Sequence, residues 1–214
     1  MTNADLQIVH RGERVVVVDK PAGLLSVPGK GEANQDCAVA RVRAMFPSAT
    51  GPMIVHRLDM DTSGLLIVAL DPEAQRDLSM QFERREVEKS YTALVDGIVP
   101  LESGTIDVPI RMDPDNRPYQ VVDRSHRRPA VTCYKVLAYE TDRTRLELIP
   151  LTGRTHQLRV HCAHMGHPIL GDVLYGPQPR TAEAAPRLML HAGMLTFTDP
   201  DSGRRLRVVR PAPF

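Results

Sequence analysis

The chain has 214 residues, of which 42% are hydrophobic and 25% charged, and its net charge is +1. That length and balance favour a single domain able to bury a sizeable core without disulfides or a structural metal, and the near-zero charge gives no bulk electrostatic sign of a polyanion partner. The longest purely apolar run, LLIVAL at 65–70, is too short to span a membrane, and the opening MTNADLQIVHRGER lacks the apolar stretch of a secretory signal. Three cysteines, Cys37, Cys133 and Cys162, follow no metal or disulfide spacing and are expected as reduced thiols in a cytoplasmic protein. Of the 27 basic residues, 23 are arginine. Arginine suits bidentate phosphate contacts and base stacking, although a GC-rich genome gives the same bias.

In chain order, RVVVVDK (14–20) reads as a buried strand running into a Pro-Ala-Gly turn. Residues 36–46 read as a helix with Asp36 as N-cap, a stripe of Val39, Val42 and Phe46, and a stop at Pro47. GLLIVAL (64–70) is a second strand. Asp71 and Pro72 supply a cap and a first-turn proline for a helix reaching about Arg85, with Leu78 and Phe82 on one face. Four further strands are predicted at 89–97, 104–110, 130–139 and 143–151. A short helix follows at about 155–165, then a terminal hairpin around DPDSG. YGPQPRTAEAAP (175–186) reads as a flexible surface loop. No repeat, linker or low-complexity tract divides the chain, so the pattern is α+β.

Three stretches can carry chemistry. In VHRLDMDTSG (55–64), Asp59 and Asp61 would point the same way on an extended segment, with backbones about 6–7 Å apart. They suit an acid/base pair, or they cap the Thr-Ser-Gly turn. In LTGRTHQLRVHCAHMGHP (151–168), Arg154 sits at a turn where its guanidinium can reach an anion, and Leu158, Cys162 and Met165 make an apolar stripe. His161, His164 and His167 lack the four-residue spacing and intervening glutamate of a helical zinc pair, and read as satisfied or solvated histidines. In EKSYTALV (88–95), Lys89 and Tyr91 share one face of a strand.

Taken together and in this order, HRLDMDTSG, KSYTALV, GRTHQLRVH and RLMLHA resemble the RluA-type pseudouridine synthases. KPAGLLSVPG, HRLDMDTSG and GHPILGD are similar to the small subgroup acting on both ribosomal and transfer RNA. The resemblance runs from residue 17 to the C-terminus. It implies an α+β fold with a mixed, mostly antiparallel central sheet and flanking helices, as one catalytic domain over 1–214 without a preceding S4-like RNA-binding domain. It also implies isomerisation of uridine to pseudouridine in a 23S rRNA hairpin loop and the tRNA anticodon stem-loop, with RNA as partner and no cofactor; a cytoplasmic location is expected from the cysteines, no metal from the histidine spacing, and a monomer by default.

Residue by residue, the resemblance makes Asp59 the catalytic aspartate and puts Asp61 on a variable position. Arg154 becomes the guanidinium that keeps the carboxylate ionised, and Tyr91 the aromatic that packs on the uracil. Arg57 fills the space of a flipped base. Leu190, with Leu188 two positions away, resembles an apolar wall. His56 supports the loop or touches RNA, and Lys89 is a further candidate substrate contact. Arg111, Arg117, Arg124, Arg127 and Arg128 are candidates for RNA grip, unless their segment is only a solvated hairpin. Two rival readings remain: a uridine N-glycosidase using Asp59 and Asp61 as a pair, and an RNA-binding module without activity.

Overall fold

The computed structural model describes residues 6–214. In chain order the strands are β1 (Gln7–Arg11), β2 (Val15–Lys20), β3 (Ser63–Ala69), β4 (Glu88–Asp96), β5 (Ser103–Asp107), β6 (Ile110–Met112), β7 (Gln120–Val122), β8 (Val131–Tyr139), β9 (Arg143–Pro150), β10 (Leu190–Thr198) and β11 (Arg205–Val209). The helices are α1 (Ala38–Met45), α2 (Pro72–Glu83), α3 (Gln157–His164) and α4 (Arg180–Glu183). The described residues divide into two compact units, 6–89 with 191–213, and 90–190 with 214.

In the first unit β2 pairs antiparallel with β1 and β3, β3 pairs parallel with the start of β10, and β10 pairs antiparallel with β11. All seven residues of β3 are buried, which is why that segment reads as a continuous apolar run instead of an alternating one. Its core joins Val15, Val17, Leu65 and Ile67 to Ala74 and Leu78 of α2. That helix starts as expected: Asp71 Oδ1 accepts from the amides of Glu73 and Ala74, and Pro72 sits in the first turn. Helix α1 departs from expectation. Cys37 is its N-cap, with Sγ accepting from Ala40 N at 3.3 Å. Asp36 instead pairs with Arg41 at 2.6 Å, because a charge-assisted bond outcompetes a cap.

The second unit holds an antiparallel sheet in the order β4-β9-β8-β5. Leu158 and Cys162 of α3 are buried with Val95, Leu146 and Leu148, and Met165 packs at the edge. Strands β6 and β7 form a separate two-stranded hairpin. Helix α3 begins two residues later than expected, because His156 takes the left-handed conformation (φ 53°) before it. The 175–186 segment, expected as a loop, contains the short helix α4, and Tyr175 and Thr181 within it are buried. The cysteines are free thiols, and burial pushes the Cys162 thiol up to about 12. Among the described residues, no helix is long and apolar enough to cross a membrane.

Candidate active site

The loop before β3 alternates anchored and presented residues. His56 Nε2 accepts from Ile67 N at 3.0 Å, and its ring stacks on Phe82 with centroids 4.5 Å apart. Burial, aided by the nearby Lys89 ammonium, lowers its pKa from 6.5 to about 3. His56 is therefore a neutral support of the loop. Arg57 is exposed. Leu58 is buried and clipped on both sides by one hydroxyl: Ser26 Oγ donates to Leu58 O at 2.7 Å and accepts from Leu58 N at 3.1 Å. Asp59 comes next, half-buried.

After Asp59 the chain is clamped again. The Met60 carbonyl accepts from Lys20 Nζ at 2.9 Å and from Gly23 N at 2.9 Å. Lys20 is fully buried at the end of β2, and its ammonium donates also to the Pro21 and Leu24 carbonyls. Burial lowers its pKa to about 7, against the pull of Asp61, Asp59 and Asp19. Three N–H groups meeting three carbonyls is an arrangement that only the ammonium form supplies. Asp59 and Asp61 occupy the first and third positions of a turn closed by Thr62 N donating to Asp59 O at 3.1 Å. They are not successive inward residues of an extended segment.

The loop leaves through Ser63 and Gly64. Ser63 Oγ lies 2.9 Å from His191 Nδ1, and His191 Nε2 lies 3.1 Å from the Arg210 carbonyl. The carbonyl needs a donor at Nε2, so Nδ1 accepts from the serine. Gly64 has φ +111° and lies against Ala192; a Cβ there would sit 2.6 Å from Ala192 N. A glycine is required for β10 to approach in register.

In the second unit Arg154 is half-exposed on the turn before α3. Its Nε donates to Pro129 O at 3.2 Å. The turn is held by Gln157, a buried amide with every polar atom engaged. Its Oε1 accepts from Thr152 Oγ1 and Arg154 N, and its Nε2 donates to Val131 O and Thr132 Oγ1. Two residues on, Arg159 forms a bidentate ion pair with Asp172, both almost fully buried. That pair links the GRTHQLR and GHPILGD segments.

Tyr91 is half-buried on β4 opposite Leu148 and packs on the core of this unit. Leu190 is 2% exposed within that same core, as is Leu188. Lys89 belongs to the first unit, with Nζ 5.7 Å from the Phe82 ring centroid, and burial lowers its pKa. The three histidines considered for zinc are placed as follows. His161 reaches Thr132 Oγ1 and Val108 O through its two ring nitrogens, His167 Nδ1 donates to the Asp96 carbonyl, and His164 is at the C-terminal end of α3.

The family model described as RNA pseudouridylate synthase matches residues 14–164, a span that contains both the clamped aspartate loop and the Arg154 turn. The chain belongs to the RluA family of RNA pseudouridine synthases. The dual-specificity RNA pseudouridine synthase RluA of Escherichia coli strain K12 is 46% identical over 98% of this chain and 94% of that protein. The protein of the same description from Pasteurella multocida is 44% identical over 100% of this chain and 96% of its own length. Among solved structures, human RNA pseudouridylate synthase domain containing 1 matches with a TM-score of 0.82 and 33% identity, over 98% of this chain and 84% of that one. The synthase fold is accordingly the mixed, mostly antiparallel α+β arrangement that the sequence implied.

Lys20, Ser26 and Gln157, which brace the loop and the turn, are not among the residues that the sequence motifs single out. A lysine two positions past the apolar Val15–Val18 run is the one local signal for the first. Nothing local marks Ser26, whose partner is the distant Leu58 backbone, and Gln157 shares its bonds between the adjoining turn and β8.

Proposed function

We propose that the chain isomerises uridine to pseudouridine in a hairpin loop of 23S rRNA and in the anticodon stem-loop of tRNA, with Asp59 as the catalytic carboxylate. The observation that carries this is the double clamp. Leu58 and Met60 are fixed through Ser26, Lys20 and Gly23, so the backbone on both sides of the half-buried Asp59 is held. Preorganised backbone is what a positioned nucleophile or base requires. The reaction breaks the N1–C1′ bond of uridine, turns the base over and joins C5 to C1′. The C5 proton leaves and N1 gains one, so no net redox change occurs and no cofactor is called for. Asp59 serves by adding to the ribose or by taking a ribose proton.

In this reading Tyr91 packs on the uracil, Arg154 keeps the carboxylate ionised and Leu190 forms an apolar wall, as the motif resemblance implies. Arg57, exposed beside a buried Leu58, suits insertion where the base leaves the stack. In this reading the protein acts as a cytoplasmic monomer, with a single catalytic domain over 1–214.

The test is tritium release from C5-tritiated uridine in total tRNA and rRNA, followed by nucleoside analysis. Asp59→Asn abolishes release and Asp61→Asn retains most of it. Equal loss in both variants, with free uracil as product, would establish the glycosidase instead.

A further inference from the structure

We propose that the arm formed by β6, β7 and the following turn (residues 110–129) docks the phosphate backbone of the RNA, through Arg117, Arg124, Arg127 and Arg128. The proposal rests on the reading of RNA as substrate and adds the surface that holds it. Between residues 110 and 130 the sequence places five arginines, three aspartates and no lysine, and composition alone cannot separate an RNA-gripping arm from a self-neutralised hairpin.

The structure sorts these charges. Asp123 is consumed at the base of the arm: it accepts from Ser125 N at 2.9 Å, from Ser125 Oγ at 2.6 Å and from Arg111 Nε at 2.6 Å. These bonds, those of Ser125 and Arg111 foremost, hold its carboxyl well below the usual carboxylate range. Asp113 is consumed at the tip, accepting from Asn116 Nδ2 at 3.0 Å and Asp115 N at 3.1 Å. Arg111 is thus neutralised. Arg117, Arg124, Arg127 and Arg128 are exposed, and none has a hydrogen-bond or ion-pair partner among the described residues.

The arm that carries them is mounted firmly. Ile110 and Ala130, at its two ends, are buried with Val160 and Tyr175. Gln120 N donates to the Tyr175 hydroxyl at 2.9 Å, the same hydroxyl lies 2.7 Å from His156 Nδ1, and the Tyr119 ring stands edge-on to Tyr175. Asp123 N closes the base on Pro109 O. The last residue of the arm, Pro129, supplies the carbonyl that receives Arg154 Nε. Free guanidinium forks on a fixed backbone suit bidentate phosphate contacts, and here they adjoin the turn that presents Arg154.

The test is binding of a fluorescein-labelled tRNA anticodon stem-loop between about 50 and 200 mM salt, compared for wild type, Arg124→Gln/Arg127→Gln/Arg128→Gln, and Arg111→Gln. Each lost phosphate contact should lower the slope of log Kd against log salt by about 0.7–0.9. The triple variant is expected to lose about two units of slope and at least tenfold in affinity at the lowest salt. Arg111→Gln should keep the wild-type slope. A triple variant with wild-type slope and affinity overturns the proposal, as does a wild-type protein that fails to bind the stem-loop. Wild-type binding with the expected slope change, but without pseudouridine formation, would sink the functional reading and leave the arm standing.

Discussion

The two motif segments hold their presented side chains by opposite means. The aspartate loop is pinned by residues far away in sequence: Ser26 reaches Leu58 across 32 positions and Lys20 reaches Met60 across 40. The Arg154 turn is pinned largely from within, by Gln157 three residues on, with β8 as its second support. A carboxylate attached by a short stem to a loop needs external clamps on both neighbouring residues. A guanidinium on a long stem tolerates a turn that holds itself. Asp59 is held through the backbone of its two neighbours, and the Arg154 turn through one amide.

Variants can break that comparison. The largest effect is expected from Lys20→Met, which removes the donor of three carbonyls. The Met60 carbonyl keeps Gly23 N, but the Pro21 and Leu24 carbonyls lose their Lys20 donor, at about 1–3 kcal/mol each, a large part of the roughly 5–15 kcal/mol that holds a domain together. We expect a fall of about 10 °C in Tm, at roughly 2–4 °C per kcal/mol for a chain of this size, with turnover lost alongside. Near-wild-type tritium release from Lys20→Met would show that the clamp does not serve Asp59. Gln157→Leu should cost on the order of 2 kcal/mol in urea unfolding, because four polar partners lose their bonds at once.

Ser26→Ala should destabilise by only about 1 kcal/mol yet lower kcat several-fold with KM unchanged, since it loosens the residue preceding Asp59. A change confined to KM would place Ser26 in RNA binding instead. The smallest effect concerns His56. Its folded pKa, about 3, lies below the 6.5 of the free side chain, so the unfolded chain takes up a proton first as pH falls. Stability from this group is complete above about 6.5 and is lost progressively down to about 3. His56→Gln keeps an acceptor for Ile67 N and should flatten the slope of urea midpoint against pH in that window.

Much of the fold was legible because its signals are local. The apolar runs of β2 and β3, the alternation of β8 and β9, and the Asp71-Pro72 start of α2 all lie within a few residues of what they specify. Strand β1 was not seen, because QIVHR is short and half-exposed and carries neither period. The cap of α1 and the start of α3 moved because Arg41 claimed Asp36 and His156 adopted a left-handed backbone, and both are choices made by neighbours in space. Asp59, Arg57 and Arg154 stood out as charged residues within specific motifs. Lys20, Ser26 and Gln157 act by holding backbone, and a sequence gives no sign of which carbonyl a side chain will meet.

One feature of the loop also bears on the order of events during synthesis. Gly64 and Ser63 lie in the first third of the chain, yet the strand that seats against them begins at Leu190. A ribosome-bound chain that has emerged as far as β3 has no Ala192 backbone for Gly64 to meet and no His191 ring for Ser63. The loop carrying Asp59 is thus made well before the strand that completes it, which would delay the onset of activity until β10 has left the ribosome.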